Sequence, residues 1–526
     1  MKIMMYSLAM ATMSVCSLMA CNDDEPILTQ KDWDGTAAYF ASTDEKGFET
    51  YYKPSVGFIG DPMPFYDPQN GDFKIMYLQE FRPNQATYHP IWAVSTRDAA
   101  SYTALGELIP TGTVAEADAA IGTGSTYYDA QNAVYYTYYT GHTAQEEVVM
   151  RAISRDFKTW TKDRTFCLKG TDFGYSKRDF RDPFVFQDEQ NVYHMIVSTQ
   201  LNGKGVLADF TSVNLQDWTH QGVFMTMMWD RFYECPDVFK MGNWWYLIYS
   251  EKHAAVRRVQ YFKGRTLDEL KACTANDAGM WPDNHEGFLD SRGFYAGKTA
   301  SNGEERYIWG WCPTRAGNNN TAVGASPNEP EWAGNLVAHK IVQHPDGTLS
   351  LGMVPGIDRK INKVISAKIV AKSESGVTEN ADKVVLQGES YVLYNRLQVE
   401  NKWSFDIKTT GNEDKFGISL VRGSDSEKYY TIVVNPENAD KRKINFEEEG
   451  AAGKGFIAGI DGYVFDRPAD NIYHVTICTD NSVCVVYIND NVAYTNRIYG
   501  VQKNCWSVNS YGQGKIEISN LKMMSK

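Results

Sequence analysis

Three carboxylates occupy similar places ahead of predicted hairpin turns. Asp61, Asp182 and Glu234 each precede an Asn- or Gly-containing turn by 9 or 10 residues. Like charges repel and burial disfavours each of them, so folding alone gives no reason to gather three acids. Catalysis does, because one acid can stay protonated while a partner stays ionised. Two such carboxylates, one the acid and the other the nucleophile or base, are what the cleavage of a glycosidic bond requires.

The carboxylates belong to a pattern that recurs five times. Each copy has a short strand, a turn and a strongly aromatic strand, and the turns fall at 71, 132, 191, 243 and 303. A period of this length accommodates the four strands of one propeller blade. The repeats therefore predict a five-bladed β-propeller whose innermost strands bring equivalent positions together around a central channel. The fixed period argues against the alternative, a β-sandwich of similar strand count.

The period ends near residue 350, and short alternating strands separated by turn residues follow from 361 to 526. This pattern is typical of a β-sandwich. The predicted fold class is all-β, with a propeller catalytic domain over 33–355 and a sandwich domain over 361–526. No catalytic constellation is found in the second domain.

The first residues predict export. Residues 1–21 are typical of a signal peptide, with an apolar stretch from Ile3 to Ala20. The segment ends in Leu18-Met19-Ala20-Cys21, which resembles a bacterial lipobox, with Cys21 as the lipidated residue. The polar, acidic segment 22–32 resembles the tether of Bacteroides-type surface lipoproteins. We expect a lipid anchor in the outer membrane at the cell surface; the alternative is an ordinary signal peptide with a chance cysteine.

The net charge and the aromatic content of the chain limit the classes of molecule that it can bind. The 526 residues carry 52 Lys and Arg against 65 Asp and Glu, for a net charge of −13, which disfavours nucleic acid as a partner. Aromatic residues make up 13% of the chain, which suits both β-strands and sugar-binding surfaces. Candidate sugar platforms are Trp92, Trp229, Trp309, Trp311 and Trp332. No Cys/His cluster predicts a metal site.

Several segments resemble the motifs of glycoside hydrolase family 32, which contains levanases, inulinases and invertases. They are Gly60-Asp61-Pro62, Tyr77-Leu78-Gln79, Gly124-Ser125, Phe180-Arg181-Asp182-Pro183, Tyr233-Glu234-Cys235-Pro236-Asp237 and Trp332-Ala333-Gly334-Asn335. Their order and spacing agree over roughly 33–355. The family fold is a five-bladed propeller followed by a β-sandwich.

The resemblance implies roles for individual residues. Asp61 would be the nucleophile, Glu234 the general acid/base, and Asp182 the group that binds sugar hydroxyls and stabilises the transition state. No metal or organic cofactor is implied. The implied substrate contacts are Gln79, Trp92, Ser125, Arg181 and Trp332.

One motif departs from the family. The nucleophile segment usually reads Trp-Met-Asn-Asp-Pro-Asn-Gly, and here Gly60 stands where the first Asn is expected. The function predicted is a retaining glycosidase that cleaves β-fructosidic bonds in levan- or inulin-type fructans. The alternatives are an inverting hydrolase of the arabinan or xylan type and a non-catalytic glycan-binding lipoprotein.

Overall fold

The computed structural model describes ten segments of the chain. They are 47–80, 89–227, 232–251, 258–273, 285–314, 332–411, 413–422, 427–446, 462–498 and 505–526. The predicted signal peptide 1–21 with Cys21, the tether 22–32 and Trp229 lie outside the described residues. Within these ten segments, no helix has the length and apolar character needed to cross a membrane.

The first domain is built from four-stranded antiparallel blades. In chain order the described strands are β1 (Phe58–Asp67), β2 (Asp72–Glu80), β3 (Ile91–Thr96), β4 (Thr103–Ile109), β5 (Ala120–Asp129), β6 (Val134–His142), β7 (Glu147–Ser154), β8 (Thr161–Lys169), β9 (Phe180–Gln187), β10 (Tyr193–Leu201), β11 (Lys204–Ser212), β12 (Thr219–Thr226), β13 (Tyr233–Met241), β14 (Trp244–Glu251), β15 (Val259–Gly264), β16 (His285–Phe288), β17 (Tyr295–Ser301), β18 (Arg306–Pro313), β19 (Gly334–Gln343) and β20 (Leu349–Gly352). A 3₁₀ turn covers Gly170–Phe173, and α1 (Leu267–Lys271) follows the third strand of blade four.

The blades form a ring, as the repeats predict. The innermost strands β1, β5, β9, β13 and β17 each contact the next, and β17 contacts β1. Blades five and one also share a hydrogen-bonded contact, because β19 pairs with β1 at Gly334 and Ile59. The second strand of each blade is buried along most of its length between neighbouring sheets, which explains why apolar and aromatic residues follow one another there instead of alternating with polar ones.

The second domain is a β-sandwich of two antiparallel sheets. Its described strands are β21 (Lys363–Ile365), β22 (Ile369–Lys372), β23 (Val377–Glu379), β24 (Lys383–Gln387), β25 (Ser390–Arg396), β26 (Glu400–Thr409), β27 (Phe416–Arg422), β28 (Glu427–Pro436), β29 (Lys441–Phe446), β30 (Tyr463–Asp466), β31 (Ile472–Asp480), β32 (Val483–Ile488), β33 (Val492–Arg497), β34 (Cys505–Ser510) and β35 (Lys515–Ser525). The helix α2 (Pro355–Lys360) lies between β20 and β21. Trp403 and Trp506 are fully buried between the two sheets.

The two domains share one apolar cluster. Val485 and Tyr487 of β32 pack in the same cluster as Leu351 of β20 and Ile357 of α2. Asp480 adds a polar contact, because its Oδ2 accepts hydrogen bonds from three successive backbone N–H groups over 49–51, just ahead of blade one. The sandwich is therefore packed directly against the propeller rather than joined to it by a free linker.

Candidate active site

Each inner strand carries a β-bulge at the same level of the ring. The strand register breaks between Gly60 and Met63 in blade one, and equivalent breaks occur in the other four blades. The bulge ring, which we define as the first bulged residue of each blade, consists of Asp61, Thr123, Asp182, Cys235 and Ala296. The preceding ring, one residue earlier, consists of Gly60, Gly122, Arg181, Glu234 and Tyr295. Bulges re-aim side chains, and eight of these ten residues, all except Gly60 and Ala296, line one cavity.

This register corrects one part of the sequence interpretation. Asp61 and Asp182 occupy equivalent bulge positions, but Glu234 belongs to the preceding ring, and Cys235 takes the position equivalent to the two aspartates. Counting back from the turns gave the same offset because the hairpins differ in length. The backbone has positive φ at Asp61 (25°), Asp182 (57°) and Cys235 (52°). Residues other than glycine rarely adopt this backbone conformation, and it persists where the surrounding structure enforces it.

The three carboxylates share one cavity of about 430 Å³. Its described lining comes from all five blades. It consists of Asp61, Gly122, Thr123, Thr140, His142, Glu147, Arg181, Asp182, Glu234, Cys235, Tyr295 and Trp332. The predicted convergence of Asp61, Asp182 and Glu234 is therefore present.

Asp182 is held on both carboxylate oxygens. Oδ1 accepts a hydrogen bond from the Thr123 hydroxyl at 2.7 Å, and Oδ2 accepts one from the backbone N–H of Cys235 at 2.9 Å. Its own backbone N–H donates to the Thr140 hydroxyl at 3.0 Å. Asp182 is only 4% exposed. These contacts fix its position between blades two and four.

Asp61 is engaged on one oxygen. Oδ1 accepts a hydrogen bond from Nε1 of Trp311 at 2.9 Å, and no group among the described residues donates to Oδ2. Burial and the nearby charges of Asp182 and Glu234 raise the pKa of Asp61 to about 6, while the Trp311 N–H and Lys298 oppose the rise. A carboxylate with one open oxygen is available to react.

Glu234 lies between a cation and a phenol. Its Oε1 accepts from Nη2 of Arg181 at 3.2 Å, and its Oε2 accepts from the Tyr295 hydroxyl at 2.6 Å. The Tyr295 hydroxyl can also act as an acceptor, so it can remain bonded when Glu234 gains a proton. The Glu234 side chain is 20% exposed, which leaves it within reach of a ligand in the cavity.

Arg181 distributes its charge over several acids. Besides Glu234 it donates to Glu147 at 3.1 Å and to Asp179 at 3.0 Å, and its guanidinium lies 4.2 Å from the ring centre of Phe232. Burial works against its charge, but Glu234, Glu147 and Asp182 raise the pKa of Arg181 above its usual range. The guanidinium is a permanent cation that balances part of the negative charge in the cavity.

Trp332 explains the departure at Gly60. A Cβ built on Gly60 would overlap the indole of Trp332, closer than any van der Waals contact. The same indole lies 6.3 Å from Trp311 and 4.7 Å from the His89 ring, measured between centroids. Any side chain at position 60 would displace Trp332, so the glycine and the tryptophan form one unit of the cavity wall.

The predicted sugar contacts separate into two groups. Arg181 and Trp332 line the cavity, whereas Gln79, Trp92 and Ser125 are not among its described lining residues. Gln79 is fully buried and donates to the backbone carbonyl of Val56 at 2.6 Å. Trp92 is half-buried and packs against the propeller core.

Ser125 bridges two blades. Its hydroxyl donates to the carbonyl of Pro183 and accepts from the N–H of Val185, both at 3.0 Å. These bonds tie β5 to the strand that carries Asp182. The contacts of Ser125 are therefore with the backbone of blade three, beside the cavity.

Sequence reasoning did not assign several residues that line the cavity or lie beside it. Tyr295 donates a hydrogen bond to Glu234, and Glu147 accepts one from Arg181. The buried Lys298 donates to the carbonyl of Gly124 across the channel at 2.7 Å. Tyr295 could have been found by aligning the blades on their inner strands, because it is the blade-five counterpart of Glu234. Trp309, a candidate platform, lies fully in the core.

Comparison with protein families gives two matches. The profile of the Glycosyl hydrolases family 32 N-terminal domain matches residues 51–351, more than half of the chain. The profile described as GH32, BT1760-like, C-terminal domain matches residues 347–523. A search of curated proteins finds no match.

Solved structures share the fold. A fructan 1-exohydrolase IIa from Cichorium intybus in complex with 1-kestose aligns with a TM-score of 0.70 at 14% identity, over 92% of this chain and 97% of that one. A sucrose-6-phosphate hydrolase from Lactobacillus gasseri aligns at 0.67 and 16% identity, over 96% and 99% of the two chains. An exo-inulinase from Aspergillus awamori aligns at 0.66 and 16% identity, over 92% and 99%. At these identities the likeness shows the fold, an N-terminal propeller and a C-terminal sandwich.

Proposed function

Because the chain belongs to glycoside hydrolase family 32, and is therefore a glycosidase acting on fructosides, we propose that it is a retaining enzyme that cleaves β-fructosidic bonds in levan- or inulin-type fructans. The observation that carries the proposal is the convergence of Asp61, Asp182 and Glu234 in one cavity. The matched solved structures include a fructan exohydrolase and an exo-inulinase, which supports fructan as the substrate class.

The state of Asp61 supports its assignment as the nucleophile. Its Oδ2 receives no hydrogen bond from the described residues, whereas both oxygens of Asp182 are bound by neighbouring blades. An attacking carboxylate must offer a lone pair to carbon, so the uncommitted oxygen of Asp61 suits this role. Asp182 is better suited to hold sugar hydroxyls and to stabilise positive charge on the ring.

The surroundings of Glu234 support its assignment as the general acid/base. In the first step Glu234 gives its proton to the leaving glycosidic oxygen while Asp61 attacks the anomeric carbon, so the sugar becomes an ester of Asp61. In the second step a water molecule loses a proton to Glu234 and attacks the same carbon, which releases Asp61. Arg181 and Tyr295 hold the Glu234 carboxyl group in place between the two steps through their hydrogen bonds to Oε1 and Oε2.

Two measurements test the reaction and the substrate. Chromatography of products from levan, inulin, sucrose and arabinan identifies the substrate class, and NMR of the first-formed sugar identifies the stereochemistry. We expect fructose-containing products with retained anomeric configuration. Inverted products, or cleavage of arabinan alone, would favour the inverting alternative.

Replacement of Glu234 tests the acid/base role. Glu234→Gln keeps the shape but has no proton to give, so we expect turnover on fructan to fall by roughly 10²–10⁴-fold. A substrate with a good leaving group should recover part of the loss, because its departure needs less protonation. Glu305→Gln, outside the cavity on blade five, is the matched control and should keep wild-type turnover. Undiminished activity of Glu234→Gln would refute the assignment, and a wild-type protein that binds fructan without cleaving it would indicate a binding function.

The location of the enzyme is a separate part of the proposal. The sequence Leu18-Met19-Ala20-Cys21 supports a lipid anchor on Cys21 and a place at the cell surface. We expect Cys21→Ala to move the protein out of the membrane fraction while kcat stays unchanged. Unaltered fractionation of this variant would contradict the anchor.

A further inference from the structure

One strand of the sandwich reaches the back of the cavity wall. Arg497, at the end of β33, is 1% exposed and points into blade five. Its Nε donates to the carbonyl of Pro313 at 2.9 Å, and its Nη2 donates to the carbonyl of Cys312 at 3.0 Å and to the Asn335 side chain. Nη1 remains within the sandwich and donates to Ser482 at 3.0 Å. A single side chain thus joins the ends of β18 and β19 to the second domain.

A second residue of the same strand holds another part of blade five. The backbone N–H and the hydroxyl of Thr495 donate to Asp290 at 2.8 and 2.6 Å. The Ser291 hydroxyl donates back to the carbonyl of Thr495 at 2.6 Å, and His339 of β19 contacts Asp290 at 3.0 Å. This buried network fixes the chain just before β17. We call Thr495 and Arg497 together the β33 clamp.

The segments held by the clamp carry three aromatic residues that line the cavity or bond to its carboxylates. Trp311, which bonds to Asp61, directly precedes Cys312, and Trp332, which covers Gly60, lies two residues before β19. Tyr295, which bonds to Glu234, begins β17, the strand that follows the clamped loop.

We propose that the β33 clamp is a positioning device through which the sandwich sets the geometry of Trp311, Trp332 and Tyr295 around the catalytic carboxylates. The proposal rests on the proposed function for the meaning of the carboxylates, but the contacts of the clamp do not depend on it. It assigns the second domain a role in catalysis, although that domain contributes no residue to the described lining of the cavity.

The chemistry of the clamp suits this role. A guanidinium has several donors in a fixed plane, so Arg497 defines the relative positions of two carbonyls and an amide oxygen, which a lysine cannot do. The ring also closes at this place, because Gly334 of β19 pairs with Ile59 of β1, two residues from Asp61. Displacements of about 1 Å can cost about 10²-fold in rate, so a loosened clamp should be visible in kinetics.

Four variants test the proposal in the full chain. Arg497→Lys, Thr495→Val and the milder Ser482→Ala weaken the clamp, and Arg442→Lys is the matched control. Arg442 is also fully buried, but its bonds go to Tyr473 and to backbone carbonyls within the sandwich. The measurements are thermal unfolding, kcat and KM on fructan across pH, and a pH titration of tryptophan emission.

We expect Arg497→Lys to lower kcat/KM by roughly 10–100-fold and to move the acid limb of its pH profile to higher pH, because the Trp311 hydrogen bond to Asp61 weakens. The midpoint of the pH titration of tryptophan emission, which we call the emission midpoint, should also move to higher pH. Arg442→Lys should lose thermal stability to a similar extent and keep both the profile and kcat/KM. If Arg497→Lys does not fold, Thr495→Val and Ser482→Ala are judged by the same criteria.

Two outcomes separate the clamp from the proposed function. If the wild type cleaves fructan and the clamp variants keep its acid limb and its kcat/KM within about twofold, the clamp proposal is wrong and the function stands. If the wild type cleaves no fructoside, the function is wrong, and the emission midpoint alone decides the clamp: an unchanged midpoint in all three clamp variants overturns it.

Discussion

Removal of the charge of Asp61 should make the protein more stable while it abolishes catalysis. Burial first, and then the charge of Asp182, raise the pKa of Asp61 from 3.8 to about 6. Above pH 6 Asp61 is therefore ionised in both states, and its ionised form has a higher free energy in the folded protein than in the unfolded chain. At about 1.4 kcal/mol for each pKa unit, the cost at pH 8 is at most about 3 kcal/mol. Because Asp61 lines a cavity that admits water, we expect about 1–3 kcal/mol.

Asp61→Asn is a suitable variant because an amide oxygen can still accept the Trp311 hydrogen bond. The sign of the pH dependence follows from the raised pKa. The destabilisation is absent below about pH 4, where Asp61 is protonated in both states, grows between pH 4 and 6, and is complete above pH 6. The variant should melt about 1–3 °C above wild type at pH 8, with no difference at pH 4.

Thermal unfolding followed by circular dichroism between pH 4 and 8 measures this difference. Asp156→Asn is the matched control with the opposite sign, since backbone N–H groups of Thr159 and Lys158 lower the pKa of Asp156 to about 2. It should be less stable than wild type at neutral pH and should approach wild type as the pH falls from 4 towards 2. A gain for Asp61→Asn that is equal at pH 4 and pH 8, or no gain at either, would refute the electrostatic explanation.

Three further changes test neighbouring parts of the site. Trp311→Phe removes the N–H that holds the pKa of Asp61 down, so the acid limb of kcat/KM should move to higher pH and the rate at neutral pH should fall about 10-fold; an unmoved limb would contradict this. Gly60→Ala should displace Trp332 and raise KM at least about 10-fold. An unchanged KM in steady-state kinetics would show that the Trp332 indole can move aside without loss of substrate binding. Ser125→Ala should cost about 1–3 kcal/mol in unfolding free energy with KM unchanged, whereas a raised KM would restore Ser125 as a sugar contact.

The fold could be predicted from the sequence because repetition carries it. Five aromatic hairpins at a regular period give the five blades, and the loss of the period near residue 350 agrees with the last blade strand ending at Gly352. These signals are local, because each hairpin can be recognised from its own turn residues and its own buried strand. The same reasoning brought Asp61, Asp182 and Glu234 to the channel mouth.

The side-chain level of the site could not be predicted in the same way. The number of residues between each acid and the following turn predicts equivalent positions for Glu234 and the two aspartates. The true position depends on the β-bulge, which is defined by pairing between strands and cannot be read from a single sequence. Gly60 departs from the family motif, and the cause is contact with Trp332, a residue far away in the chain. Ser125 illustrates the limit most directly, because a polar motif residue beside a site can serve the backbone of the next blade.

The electrostatic design of the cavity explains why five blades are needed to hold it. Among the described residues, each group that restrains a carboxylate comes from another blade. Asp182 is held from blades two and four, Glu234 by Arg181 of blade three and from blade five, and Asp61 by Trp311 of blade five. No blade alone can therefore stabilise its own acid, and the repulsion among the three is tolerated only in the closed ring. Blade five supplies contacts to two of the three acids, Asp61 and Glu234. It is also the blade held from behind by the sandwich, which gives a physical reason for the second domain to be packed where it is.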